Sequence, residues 1–250
     1  MTTTAGAPNH RIPTWISSGE RSIPDRPSWL PSAERLREFY GKTSAYPYYR
    51  LQVTDYIARL LPANRGSETL EVIDVGSGDG YLGAVYQTFR PGTKVTGVET
   101  HKRDLTLPGF EPILFDGLHL PFPDGRFDAA IVSNVMHHAD DQAALFVETC
   151  RVTRRRVIIK DHLAHHFLDR WKLAALDIAG NWRFGADTQG DYLDRAQWES
   201  IFARVARANV TAYEGLSFRV PPLSLAFGNG LEVVFAVDLS SDGGAGAREG

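Results

Sequence analysis

Apolar residues fall in short runs broken by glycine, proline and acidic residues, and two periodicities alternate along most of the chain. Leu70 to Val75, Lys94 to Glu99, Pro112 to Phe115, Phe127 to Ser133 and Arg156 to Lys160 read as strands. Segments near 80–90, 101–107 and 140–150 read as the helices between them. Beyond the fifth strand, a stretch from about Ala164 to Gly180 and another from Arg195 to Ala208 read as helical. Asn209 to Glu214 and Leu231 to Leu239 then read as a closing strand pair. Strand–helix alternation of this kind predicts an α/β fold: a seven-stranded, mostly parallel sheet, helices on both faces, and a C-terminal antiparallel pair.

The flanks differ from this core. Residues 1–31 carry Pro8, Pro13, Pro24, Pro27 and Pro31 and read as an extended arm. Ser32 or the residue before it is placed to cap a helix beginning near Ala33, and a second helix is expected from about Tyr48 to Leu61. Residues 32–239 then form one domain, with 32–62 as a helical N-terminal lid and 163–192 as a helical insert. Residues 240–250 are rich in Gly and Ser and read as a tail.

Composition narrows the function classes. With 27 Lys and Arg against 30 Asp and Glu, the net charge is −3, which gives no global reason to expect a nucleic-acid partner. Arg151, Arg154, Arg155 and Arg156 form one basic cluster, expected on a solvated loop leading into a strand. The single cysteine, Cys150, lies in an apolar helical pattern and reads as a packing residue; one cysteine excludes an intrachain disulfide. No signal-peptide or membrane-spanning pattern is visible, so a cytoplasmic location and no membrane partner are expected. The chain is expected as monomer or homodimer.

The chemistry begins in Asp74-Val75-Gly76-Ser77-Gly78-Asp79-Gly80, where a buried strand runs into a glycine-rich turn opening a helix. Glycines there allow positive φ and let a ligand approach the backbone. Gly78, Gly80 and Gly83 match a dinucleotide-binding register, whereas Asp74 with Gly76, Gly78 and Gly80 match D-x-G-x-G-x-G. The second fits better, because the turn starts directly after the strand. Glu99 ends the second strand, placed to accept bonds from ribose hydroxyls, a role that serves nicotinamide and adenosyl cofactors alike. Asp116-Gly117 ends the third strand, where a carboxylate can meet an adenine amino group.

In series, these motifs resemble the class I S-adenosylmethionine (SAM)-dependent methyltransferases of the type 11/25-like group. The resemblance extends through Asp116-Gly117-Leu118-His119-Leu120-Pro121-Phe122 and Phe127-Asp128-Ala129-Ala130-Ile131-Val132-Ser133-Asn134-Val135-Met136-His137-His138. It implies a Rossmann-like sheet, with SAM lying across the strand tips and S-adenosyl-L-homocysteine as product. Cofactor contacts are then expected from Asp74, Gly76, Ser77, Gly78, Gly80, Glu99, Asp116, Gly117, Ser133 and Asn134. Glycine at 117 departs from the D-A common in the family, so adenine recognition there is expected to be largely by backbone.

Methyl transfer needs an in-line nucleophile and often a base to take its proton. Histidine suits that task near neutral pH. His138 and His162 are the leading candidates, with His137 and Asp161 beside them. No zinc-type spacing recurs, so no metal is expected. Tyr40, Tyr46, Tyr49 and Trp182 are candidate rings of a lid over a small-molecule acceptor, of the kind met in natural-product biosynthesis. The runner-up is a SAM-fold biosynthetic enzyme with non-methylating chemistry, such as cyclisation beside a partner enzyme. A nicotinamide-dependent oxidoreductase ranks lower, for want of a Tyr-x-x-x-Lys pair.

Overall fold

The computed structural model describes residues 12–17, 22–41, 47–181, 190–216, 218 and 230–240. Its centre is β2 (Leu70–Val75), whose two faces are both covered: Val72 packs into one apolar cluster and Ile73 and Val75 into another. Such two-sided burial is what the continuous apolar run demands. Parallel strands β3 (Thr93–Glu99) and β5 (Phe127–Ser133) flank it, with β4 (Ile113–Leu114) beyond β3 and β6 (Thr153–His162) beyond β5. The antiparallel pair is β7 (Ala208–Glu214) and β8 (Glu232–Leu239), with β8 inserted between β6 and β7.

Helices α1 (Ala33–Tyr40), α2 (Pro47–Leu60) and α3 (Tyr81–Phe89) lie on the Val72 side. Helices α4 (Gln142–Val152) and α6 (Arg195–Phe202) lie on the Ile73 side. Helix α5 spans Phe167–Asn181. The expected Ser32 cap is present, its hydroxyl accepting from the Arg35 amide at 3.3 Å. Cys150 is buried as expected, and burial pushes its thiol up to about 12. Among the described residues, no helix is long and apolar enough to cross a membrane.

Three expectations are corrected. The sheet has eight strands, in the order β1-β7-β8-β6-β5-β2-β3-β4, because the N-terminal arm supplies β1 (Thr14–Ile16), parallel to β7. A three-residue strand among prolines carries too little alternation to be read. It is held by Trp15, whose ring meets Phe235 edge-on at 5.8 Å and whose indole N–H donates to Glu199 at 2.8 Å. Second, residues 101–107 form no helix. The Pro108-Gly109 break follows too soon, and the segment instead folds back so that the Leu107 amide bonds the Asp79 carbonyl at 2.8 Å. Third, the arginine cluster is no loop: Arg151 ends α4 and the other three begin β6. Arg151 pairs with Glu148 and Asp124, Arg154 with Asp128 and Arg156 with Asp238.

Candidate functional site

The C-terminal tips of β2, β3, β5 and β6 end along one edge of the sheet, and β2 sits between strands reached by crossovers in opposite directions. Ligands of open α/β sheets bind at such a switch point. The loop after β2 is pinned there: the Gly76 and Ser77 amides both bond the Val98 carbonyl at 3.0 Å. Gly76 and Gly78 have φ of 68° and 59°, the left-handed region that glycine tolerates. The Gly78 amide donates to Glu99 Oε1 at 2.6 Å, and Glu99, nearly buried, also accepts from the Thr100 amide at 3.3 Å.

The glycines of the motif serve different ends. A Cβ on Gly76 would lie 2.3 Å from the Val135 side chain, and one on Gly80 2.4 Å from the Phe110 ring. Those two positions are small because the protein fills the space. A Cβ on Gly78 would meet nothing within 4 Å, so Gly78 alone of the three borders open space.

Two of the expected acidic contacts are occupied otherwise. Asp74 is buried beneath the first turn of α3 and accepts from the Gly83 amide; burial, then the nearby Glu99 and Asp79, pushes it up to about 8. It holds the loop from below. Asp116 is exposed, and both its oxygens are used by its own turn: Oδ1 accepts from the Leu118 and His119 amides at 2.8 and 2.6 Å, and Oδ2 bonds His119 Nδ1 at 2.7 Å. Those bonds, the His119 amide foremost, hold its carboxyl well below the usual range. Gly117, with φ of 91°, completes the turn.

Beside the loop lies a polar network on the α2 side. Ser133 ends β5, and Asn134, at φ 55°, bonds the Lys160 carbonyl through its amide at 2.8 Å. Its side-chain oxygen accepts from the Tyr49 hydroxyl at 3.0 Å and from Lys160 Nζ at 2.5 Å. Lys160 also bonds the Tyr49 hydroxyl and pairs with Glu232 at 2.5 Å, both charges fully buried. His162 Nδ1 lies 3.2 Å from the same carboxylate, and burial lowers the pKa of this imidazole.

Where β6 ends, the four catalytic candidates come together. A 3₁₀ turn, Met136–His138, sets His137 Nδ1 2.6 Å from Asp161 Oδ1. The His137 ring lies 4.0 Å from that of His138 and 5.0 Å from that of His162, and Tyr192 stacks on it at 5.2 Å. Burial would raise the Asp161 carboxyl, but the adjoining His137 leads the interactions that hold it well below its usual range. The remaining heteroatoms of the pair, His137 Nε2 and Asp161 Oδ2, are buried without a hydrogen-bond partner.

Of the lid candidates, Tyr49 belongs to the network and Tyr40 is a core residue. Tyr40 is buried, bonds Thr54 Oγ1 at 2.6 Å and is pushed up to about 12 by burial. Tyr46 and Trp182 lie outside the described residues. Sequence reasoning missed Lys160 and Glu232 as site residues; Tyr192 is among the rings after the fifth strand that it offers for enclosing an acceptor. The signal for the first two was a charge placed against an apolar strand run, Val157-Ile158-Ile159 in one case and Val233-Val234-Phe235 in the other.

Comparison with known proteins agrees with the cradle. Residues 73–159 match the methyltransferase domain family. Over that span the chain is similar to the class I S-adenosylmethionine-dependent methyltransferases. The chain is 36% identical over 88 residues to an uncharacterized methyltransferase of Mycobacterium sp. strain JLS, covering 33% of this chain and 34% of that protein. It is 30% identical over 136 residues to an uncharacterized methyltransferase of Mycobacterium leprae, covering 49% of this chain and 50% of the relative. The match thus spans between a third and a half of these relatives' length. In fold, it resembles a SAM-dependent methyltransferase from Archaeoglobus fulgidus, with a TM-score of 0.55 at 12% identity, over 83% of this chain and 98% of the other. The matched span includes Gly78, Glu99 and His137 but ends before Asp161, His162 and Glu232. The glycine loop and Glu99 therefore lie in the matched part, while half of the histidine cluster comes from outside it.

Proposed function

We propose that this protein transfers the methyl group of SAM to a small-molecule acceptor, one of natural-product type. The observation that carries the reading is the open face of Gly78, bonded to the buried Glu99, on the same sheet edge as the histidine cluster. The cradle fits the cofactor: a Cβ at position 78 would enter its space, and the Glu99 carboxylate stands at the strand end where ribose hydroxyls can donate. Backbone groups of residues 76–78 and Ser133 would hold the methionine part, and Gly117 would offer its backbone to adenine. When bound, the cofactor supplies an electrophilic methyl group.

The remaining task falls to the chain's own residues. Glu232 faces Nδ1 of His162, which sets the tautomer and leaves Nε2 to accept the acceptor's proton. His162 is the least buried of His137, Asp161 and His162, with 11% of its side chain exposed, so it is the member an acceptor can meet. Asp161 orients His137 behind it, and Tyr192 and His138 close the other side as flat apolar walls. Such rings favour a planar or largely apolar acceptor. At the head of β6, Arg154 and Arg156 are paired with Asp128 and Asp238 and Arg155 donates to the Ala63 carbonyl, which speaks for a small molecule over nucleic acid.

Calorimetric titration with SAM, S-adenosylhomocysteine and NADH tests the reading. Binding of both adenosyl ligands without NADH is expected, followed by S-adenosylhomocysteine release when an acceptor is added. Binding of NADH alone would overturn it in favour of the 78-80-83 glycine register.

A further inference from the structure

His137, Asp161 and His162 form a group of three metal-ligating side chains in which one donor atom from each lies within 4.8 Å of the others. Among the described residues, no other group of this kind occurs. The three come from different places: one from the 3₁₀ turn after β5 and two from the end of β6, 24 residues further along. That separation is why no ligand spacing shows in the sequence. The side chains of His137 and Asp161 are 2% and 1% exposed.

The hydrogen bonds within the group do not satisfy it. Asp161 Oδ1 accepts from His137 Nδ1 and from the His162 amide, while Asp161 Oδ2 and His137 Nε2 are buried with no partner. An unmet buried polar atom costs about 1–3 kcal/mol, and native structures retain few without a reason. Both are donor types that ligate cations, one a carboxylate oxygen and the other an imidazole nitrogen. An outer shell is also in place. Glu232 faces Nδ1 of His162, the arrangement in which a carboxylate steadies a metal-binding imidazole. Lys160, the nearby positive charge, is already matched by Glu232.

We propose that His137, Asp161 and His162 bind one divalent first-row transition-metal ion. Two imidazoles and one carboxylate select such ions, Zn²⁺ or Co²⁺ among them, over Mg²⁺ and Ca²⁺, which prefer all-oxygen sets. Donor atoms around a tetrahedral zinc lie roughly 3.3 Å apart, less than the 4.8 Å within which one donor from each side chain is already gathered, so binding needs side-chain readjustment only. The binding itself is independent of the methyl-transfer reading, and only its consequence rests on it. An acceptor oxygen placed on the ion would have its pKa lowered and would yield its proton to solvent water more readily, a route that does not need a free Nε2 on His162.

The test uses the full chain, stripped with a chelator and titrated with Zn²⁺ by calorimetry and with Co²⁺ by visible absorption. One tight equivalent is expected, with the intensified Co²⁺ bands of a low-coordinate nitrogen–oxygen site. Asp161→Asn and His137→Ala are expected to weaken that equivalent at least about tenfold. Circular dichroism and a SAM titration of each variant separate loss of the site from loss of the fold. No stoichiometric binding to the wild-type chain overturns the proposal without recourse to any variant. So does affinity unchanged in correctly folded variants, which would assign the ion to exposed histidines. SAM binding in the same preparation reports separately on the methyl-transfer reading.

Discussion

His162 and Glu232 are direct partners in the β6–β8 register, and His162 Nδ1 stands 3.2 Å from the Glu232 carboxylate that also pairs with Lys160. One buried anion therefore serves two neighbours. Removing its charge leaves Lys160, fully buried, without a counter-ion, and breaking such a pair costs about 3–5 kcal/mol. Glu232→Gln is expected to lower stability by that order in urea denaturation. Lys160→Met added to it should recover much of the loss, because the ammonium no longer needs an anion. A double variant no more stable than the single would show that Glu232 acts through His162 or Tyr49 instead.

The three loop glycines should separate cleanly. Gly78→Val is expected to abolish SAM binding, because its side chain enters the open face. Gly78→Ala costs only the positive φ, about 1–2 kcal/mol, and should retain more affinity. Gly80→Ala carries a similar φ penalty and also drives a Cβ to 2.4 Å from Phe110, so its Tm should fall further than that of Gly78→Ala. Equal melting temperatures would mean that Phe110 yields readily and that the space at position 80 is not a packing constraint.

The sheet was legible because each central strand is apolar on both faces; Leu70–Val75 and Phe127–Ser133 appear with the bounds expected of them. The glycine loop and Glu99 were legible for the same reason, since they follow such strands directly. What was not legible depended on contacts that the order of residues does not display. Gly80 is small because of Phe110, which lies just beyond a segment expected to be helical. Asp116 turns its carboxylate onto its own backbone, which a strand-end position does not reveal. Lys160 and Glu232 are invisible as a pair until β8 is laid antiparallel against β6. The histidines were visible individually, but which of them meets Asp161 depends on a single 3₁₀ turn.

Asp74 makes stability depend on pH. Its carboxyl is pushed up from 3.8 to about 8 in the folded protein, chiefly by burial. The folded chain therefore holds a proton that the unfolded chain has lost over that interval. By linkage, the contribution of this group is present below the unfolded value and fades as pH rises through the folded value. Asp74→Asn keeps an acceptor for the Gly83 amide but cannot ionise. Its Tm relative to wild type should climb between about pH 4 and about pH 8 and level off above that. A constant difference across that range would mean that the buried carboxylate is not protonated near neutral pH.

His162→Ala tests the acceptor side apart from the cofactor side. The imidazole stands at the end of β6, whereas Gly78 and Glu99 hold the other half of the site from β2 and β3. Loss of a proton-accepting group typically costs about 10²–10⁴ in rate, so turnover with a methylatable acceptor should fall by that order while SAM affinity stays nearly unchanged. Removing the ring also frees one neighbour of Glu232 without unpairing Lys160, so stability should drop less than in Glu232→Gln. If turnover survives while His138→Ala abolishes it, the acceptor lies against the 3₁₀ turn, and the Glu232 contact with His162 is structural. If both variants remain fully active, proximity and desolvation suffice and neither imidazole carries the proton.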